Sequence, residues 1–250
     1  MENRRAKGYA AAVAALGMTS LAAQIILLRE FVSVFQGNEL VVGVVLASWM
    51  TLTGAGAFLG RYSPFLTPPR TAPALGLACA GMLPPATVLV LRTMRNVVFT
   101  SGSMVGIVQA LSASLVLLAP FCILSGFLFT FFVHLVSTLE GENRTASVYA
   151  WETIGSTAGG VVFTLALASY LETFQTLFLI LLVDLTIALL LAWSAGNRSA
   201  AAALLLPMGA AVAGLCTERA DHWTRSFLFP GQEIVYFRDT PYGNLTLTRQ

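Results

Sequence analysis

Charge is scarce in this chain. Asp, Glu, Lys and Arg make up only 10% of its 250 residues, against about 25% in an ordinary soluble domain. Hydrophobic residues supply 56%, so a soluble globular class is excluded and an integral membrane protein is implied. Lysine is almost missing, with Lys7 the sole example among 14 basic residues. A net charge of +2 without a dense basic cluster leaves nothing for a nucleic acid to bind.

Cysteine is sparse as well. Cys79, Cys122 and Cys216 lie far apart, with no CxxC pair and no Cys/His spacing suited to a metal. Three cysteines make no disulfide framework, and packing is the ordinary role of a free thiol. No Ser/His/Asp arrangement stands out, and no glycine-rich loop lies in a strand–turn–helix setting. Catalytic, cofactor-binding and metal residues are therefore assigned to none of these positions.

What the chain does have is long apolar runs. The opening MENRRAKGYAAAVAALGMTSLAAQIILL imitates a signal peptide, but its apolar stretch covers residues 8–28, beyond the ~7–15 residues of a signal core. It reads as a first spanning helix behind a cytoplasmic N-terminal tail, residues 1–7. Further spans, of about 20 residues each, lie near 41–60, 73–91, 147–169, 173–193 and 199–216. The run at 104–137 is too long for one upright span, since such a helix extends about 51 Å against a hydrocarbon core of about 30 Å. It either tilts as one helix or breaks near Pro120 into two. The fold class is thus an all-α polytopic membrane protein, a bundle of seven or eight transmembrane helices over residues 8–216. Residues 217–250 follow as a short β-forming soluble tail. The positive-inside rule does not separate the two counts, because Arg144 and Arg198 trade sides with Arg219 and Arg225.

Small residues recur at helical spacing. Gly17, Ser20 and Gln24 form one stripe, and Gly43, Ala47, Thr51 and Gly54 another. Gly56 with Gly60, and Gly155 with Gly159 beside Ser156 and Gly160, are GxxxG pairs. In lipid such positions let helix backbones approach closely.

Ionisable residues in the apolar zone carry more information, because an acid at mid-bilayer costs about 2.5–3.5 kcal/mol. Asp184 lies in the middle of FQTLFLILLVDLTIALLLAW, and Glu152 lies one turn from Ser156. Gln24, Glu152 and Asp184 are the candidate intramembrane polar site, a cavity or proton-linked path; fixing helix register is the plainer role. Arg29, Glu30 and Glu39 bracket the connection FVSVFQGN and read as a salt-bridged turn at the membrane surface. His134 falls where its span meets the headgroups.

The ending, EIVYFRDTPYGNLTLTRQ, is of another kind. Val235, Phe237, Leu245 and Leu247 alternate with polar residues around the turn former Pro241-Tyr242-Gly243-Asn244, a soluble hairpin pattern.

Residues 17–61 resemble the N-terminal membrane region of bacterial spermidine synthase-like proteins, in which a helical bundle is fused to a polyamine aminopropyltransferase domain. The resemblance lies in Gln24, Leu28-Arg29-Glu30, Gly37-Asn38-Glu39-Leu40, Leu46 and Trp49. SVYAWETIGSTAGG at residues 147–160 is similar to a second landmark of that family. Residues 230–249 resemble the start of its small β domain. The resemblance implies a bacterial inner-membrane protein whose tail faces cytoplasmic substrates, decarboxylated S-adenosylmethionine and putrescine. No cofactor is expected in this chain itself. The family's Gln after the turn tyrosine is here Gly243, beside Tyr242, and the nucleotide loop and catalytic acids of the family lie outside the chain. Three readings follow: the membrane half of a synthase-like protein, partnered by a soluble chain or by a second copy; a permease-like bundle; or a structural membrane protein. A 34-residue tail cannot enclose a substrate, and it is expected to be loosely ordered.

Overall fold

The computed structural model of the chain describes residues 2–35, 39–65, 70–98, 106–167, 170–216, 219–229, 231–240 and 243–249. Its helices are α1 (Glu2–Phe35), α2 (Glu39–Gly60), α3 (Ala72–Val98), α4 (Ile107–Glu140), α5 (Thr145–Val162), α6 (Thr173–Ser194), α7 (Arg198–Leu215) and α8 (Arg219–Ser226). A π-helical turn, Phe163–Leu167, prolongs α5. Strands β1 (Glu233–Thr240) and β2 (Gly243–Arg249) close the chain as an antiparallel pair. Helices dominate because a backbone in hydrocarbon must satisfy its own N–H and C=O groups, which a helix does within one segment.

Among the described residues six helices, α1 to α4, α6 and α7, are long and apolar enough to cross a membrane. The expected span at 147–169 is represented by α5 and its π turn, which fall outside those six. Their path is nevertheless fixed by α1. Gly155, Gly159 and Gly160 lie against Ala14, Met18 and Leu21 in turn, so α5 climbs beside α1 in the same direction. Among the described residues the chain therefore travels the length of the bundle seven times, and α1 starts at the end of the bundle opposite to α8.

The expected break near Pro120 does not occur. α4 runs unbroken for 34 residues with Pro120 inside it, as Pro84 and Pro85 lie inside α3 and Pro207 inside α7. Neighbouring helices make such prolines tolerable in membranes. Seven passages also correct the sequence-based sidedness: a cytoplasmic N-terminus and a cytoplasmic tail cannot both hold.

Close helix pairs form where small residues meet backbone. A Cβ on Gly56 would come within 2.8 Å of Ile123 backbone, and one on Gly126 within 2.9 Å of the Ala57 nitrogen. These two glycines join α2 and α4 as parallel neighbours. The second stripe behaves differently, since Gly43 and Gly54 have open space in front of them. Thr51 there is exposed, with its hydroxyl turned back onto the Ala47 carbonyl at 2.8 Å. Cys122 is buried, whereas Cys79 and Cys216 are exposed on the outer surface.

Part of the tail is helical, α8 at Arg219–Ser226. α8 folds back onto the ends of α3 and α6, as described next. The β pair carries a bulge at Val235, between Ile234 and Tyr236. Ile234 is buried while Val235 and its neighbour Tyr236 are both exposed, which breaks the simple alternation read from sequence.

Candidate functional site

Arg92, one turn and a half before the end of α3, is completely buried. A buried guanidinium is tolerable only if its donors are matched by acceptors. Glu30, near the end of α1, accepts from Nε at 2.9 Å and from Nη2 at 2.7 Å, a two-pronged grip. Asp221 and Thr224, both on α8, take Nη1 at 3.0 and 2.8 Å. Glu30 and Asp221 are themselves only 2% and 1% exposed.

The carboxylates are saturated in turn. Oε1 of Glu30 also accepts from the Thr173 hydroxyl at 2.9 Å. Oδ2 of Asp221 accepts from the backbone N–H of Phe174 at 2.8 Å, in the first turn of α6, where the helix dipole favours a negative charge. The Phe174 ring lies 5.4 Å from the Arg92 guanidinium carbon. One cluster thus ties α1, α3, α6 and α8 together.

A second row of contacts reinforces it. Arg95 donates to the Val34 carbonyl at 2.9 Å, satisfying an acceptor of α1's last turn. Asn96 donates to the carbonyls of Phe227 and Leu228 at 2.6 and 3.2 Å. Arg225 of α8 lies 3.9 Å from Glu172 and 5.0 Å from the Phe237 ring of β1. His222 packs edge-on against the same ring at 6.2 Å. The hairpin is therefore coupled through α8 to the bundle. Chemically the cluster is a clamp: every oxygen of Glu30 and Asp221 already holds a donor, so neither acid is poised to take a proton from a substrate.

The predicted polar site is divided between two interfaces. Asp184 of α6 is fully buried, and its Oδ2 accepts from the Thr19 hydroxyl of α1 at 2.8 Å. Gly81 of α3 makes room for it, since a Cβ there would lie 2.7 Å from Oδ2. Oδ1 of Asp184 has no hydrogen-bond partner among the described residues. Glu152 is half-buried elsewhere, at the α1–α5 contact, where Oε1 accepts from Ser156 at 2.8 Å. Ser156 also reaches the Gly17 carbonyl at 3.1 Å. Gly17 and Thr19 are two residues apart, which turns them to opposite sides of α1. Half-buried Gln24 enters neither contact.

Of the turn residues, Glu30 alone belongs to the buried cluster, where Arg92 of α3 is a partner. Arg29 is half-buried and Glu39 exposed. His134 is half-buried toward the C-terminal end of α4. Tyr242 lies outside the described residues, and Gly243 opens β2. Among the described residues no group of three or more His, Cys, Asp or Glu side chains could hold a metal.

Arg92, Asp221, Thr173 and Thr224 are the residues that sequence reasoning missed. Their signal was available: Arg92 directly follows an apolar run, and an unpaired arginine at that depth requires an acid. Hydropathy instead ends the span at residue 91 and assigns Asp221 to the tail. Compared with protein-family models, curated proteins and solved structures, the chain matches none.

Proposed function

We propose that this chain is the membrane region of a spermidine synthase-like protein and that its bundle presents the first hairpin of a soluble domain in a fixed position. The observation that carries the anchoring half of this reading is the buried Glu30–Arg92–Asp221 chain of charges. A tail that was merely tethered would have no use for an acid buried among three transmembrane helices. The synthase half rests on the sequence resemblance. The hairpin is consistent with it, because an isolated pair of strands is marginal in water and this pair leaves Val235, Tyr236 and Leu247 largely exposed, ready to be covered by further chain. A soluble synthase-like chain, or the remainder of the same domain, is the natural partner.

This reading puts the protein in a bacterial inner membrane with the tail in the cytoplasm, where decarboxylated S-adenosylmethionine and putrescine are found. Seven passages then put the N-terminus outside. Arg4, Arg5, Lys7, Arg61, Arg70, Arg144 and Arg198 lie at that N-terminal end, against Arg29, Arg92, Arg95, Arg219 and Arg225 at the other, a small bias that runs against this orientation, so sidedness is the point at which the reading is most exposed to test.

Its activity is tested by assaying membranes for spermidine formation from those two substrates, with the chain present, deleted, or carrying Asp221→Asn. Membrane-bound activity that disappears on deletion and falls with the substitution supports the proposal. Activity indifferent to deletion overturns it.

Asp184 favours a second reading, a permease-like bundle, because a buried acid with one unmatched oxygen is costly unless used. Polyamine flux into proteoliposomes that stops with Asp184→Asn would support that reading.

A further inference from the structure

The end of the bundle opposite the Arg92 cluster carries an unassigned crevice. α1, α3, α4 and α6 diverge there around about 510 Å³ of space. Its inner wall is apolar, formed by Phe131 and Leu135 of α4 and by Ile187 and Leu191 of α6. Arg70 stands at the mouth, just before α3. It is exposed and joins none of the ion pairs among the described residues.

The surrounding charges leave Arg70 uncompensated. The nearest acid along α4, Glu140, is bound to Arg144 at 2.6 Å, and Glu142 meets the same arginine at 3.3 Å. Lys7, exposed beside the lining residue Gly8, adds a second cation.

Depth completes the picture. Gly8 and Pro73 are each the second residue of their spans, which begin at Lys7 and Ala72, and Ser194 closes α6, so the mouth lies where headgroups lie. From Leu139 inward to Phe131 is eight residues of helix, about 12 Å along the axis. A soluble anion would use the mouth and leave the wall bare. A neutral apolar solute would fill the wall and leave the cation bare. Only an anionic amphiphile matches both parts.

We propose that this crevice binds an anionic phospholipid, with the phosphate on Arg70 and an acyl chain along the wall formed by Phe131 and Ile187.

The test uses the full chain purified in detergent, with native mass spectrometry and thermal unfolding as readouts. Phosphatidylglycerol, phosphatidylcholine and inorganic phosphate are added separately. Phosphatidylglycerol should be retained and raise the unfolding temperature more than phosphatidylcholine does. Arg70→Gln, at an exposed position, should lower phosphatidylglycerol retention about fivefold, the weight of one arginine near an anionic headgroup, and leave phosphatidylcholine unaffected. Leu190→Trp, on the outer rim of the same wall, should lower retention of both lipids. Equal retention of the two lipids by the native chain, or no change with Arg70→Gln, overturns the proposal. Protection by inorganic phosphate alone equal to that by the lipid overturns it too, because the apolar wall would then have no part in binding.

Discussion

Arg92 holds both carboxylate oxygens of Glu30 across 62 residues of sequence, in a place with no access to water. That grip closes the end of the bundle and gives α8 a charge to dock against. Membrane bundles have little hydrophobic drive between helices, so specific polar contacts of this kind decide which helix ends stay together.

Arg92→Gln should therefore destabilise the bundle by about 3–5 kcal/mol, because it leaves Glu30 and Asp221 buried without their cation. Thermal or denaturant unfolding in detergent measures this. Arg92→Lys should recover less than half of the loss, since an ammonium cannot reproduce the planar two-pronged contact. An unchanged midpoint for Arg92→Gln would mean the cluster carries no stability.

Asp221→Asn should release α8 while leaving the spans intact. Losing charged hydrogen bonds costs about 1.5–3 kcal/mol, which corresponds to at least a tenfold faster tryptic cut at Arg219 and Arg225. The native chain should resist cleavage there, contrary to what the sequence suggests of a short soluble tail. Equal cutting rates would show that the tail is held by other contacts.

The glycines separate into two classes by what stands in front of them. Gly155→Leu should push α5 off α1 and cost about 1–3 kcal/mol, the usual penalty of overpacking. Gly43→Leu should cost nothing measurable, because no atom lies within 4 Å of the position its Cβ would take. Unfolding of the two variants side by side decides it.

Asp184→Leu should stabilise the bundle, by an amount bounded by the about 2.5–3.5 kcal/mol cost of a mid-membrane acid. A gain in stability accompanied by lost solute flux would mark Asp184 as functional. A loss of stability would make it a structural partner of Thr19.

Much of this architecture is legible in the sequence because the bilayer imposes it. Run length locates the helices from residue 8 to residue 216, and the GxxxG pairs at Gly56 and Gly155 do mark close contacts. Composition cannot show which side of a helix meets a neighbour, which is why Gly43 and Gly54 resemble the packing glycines and yet face open space. Pro120 reads as a break only when α4 is considered without the helices around it. The cluster is hidden for a different reason. Glu30, Arg92 and Asp221 are far apart in sequence, and each alone resembles an ordinary charge at a membrane surface. Asp184 is visible by itself, but its partners Thr19 and Gly81 are not, because a threonine and a glycine in apolar helices carry no distinguishing mark.

The most direct measurement is the sidedness of the two chain ends, read from topology reporters fused in one case to the N-terminus and in the other to the C-terminus. Seven passages with a synthase-like tail predict a cytoplasmic C-terminus and an N-terminus on the outer face. Both ends on one side would contradict the seven-passage path. A C-terminus on the outer face would contradict the synthase-like reading, because its substrates would lie across the membrane from the hairpin.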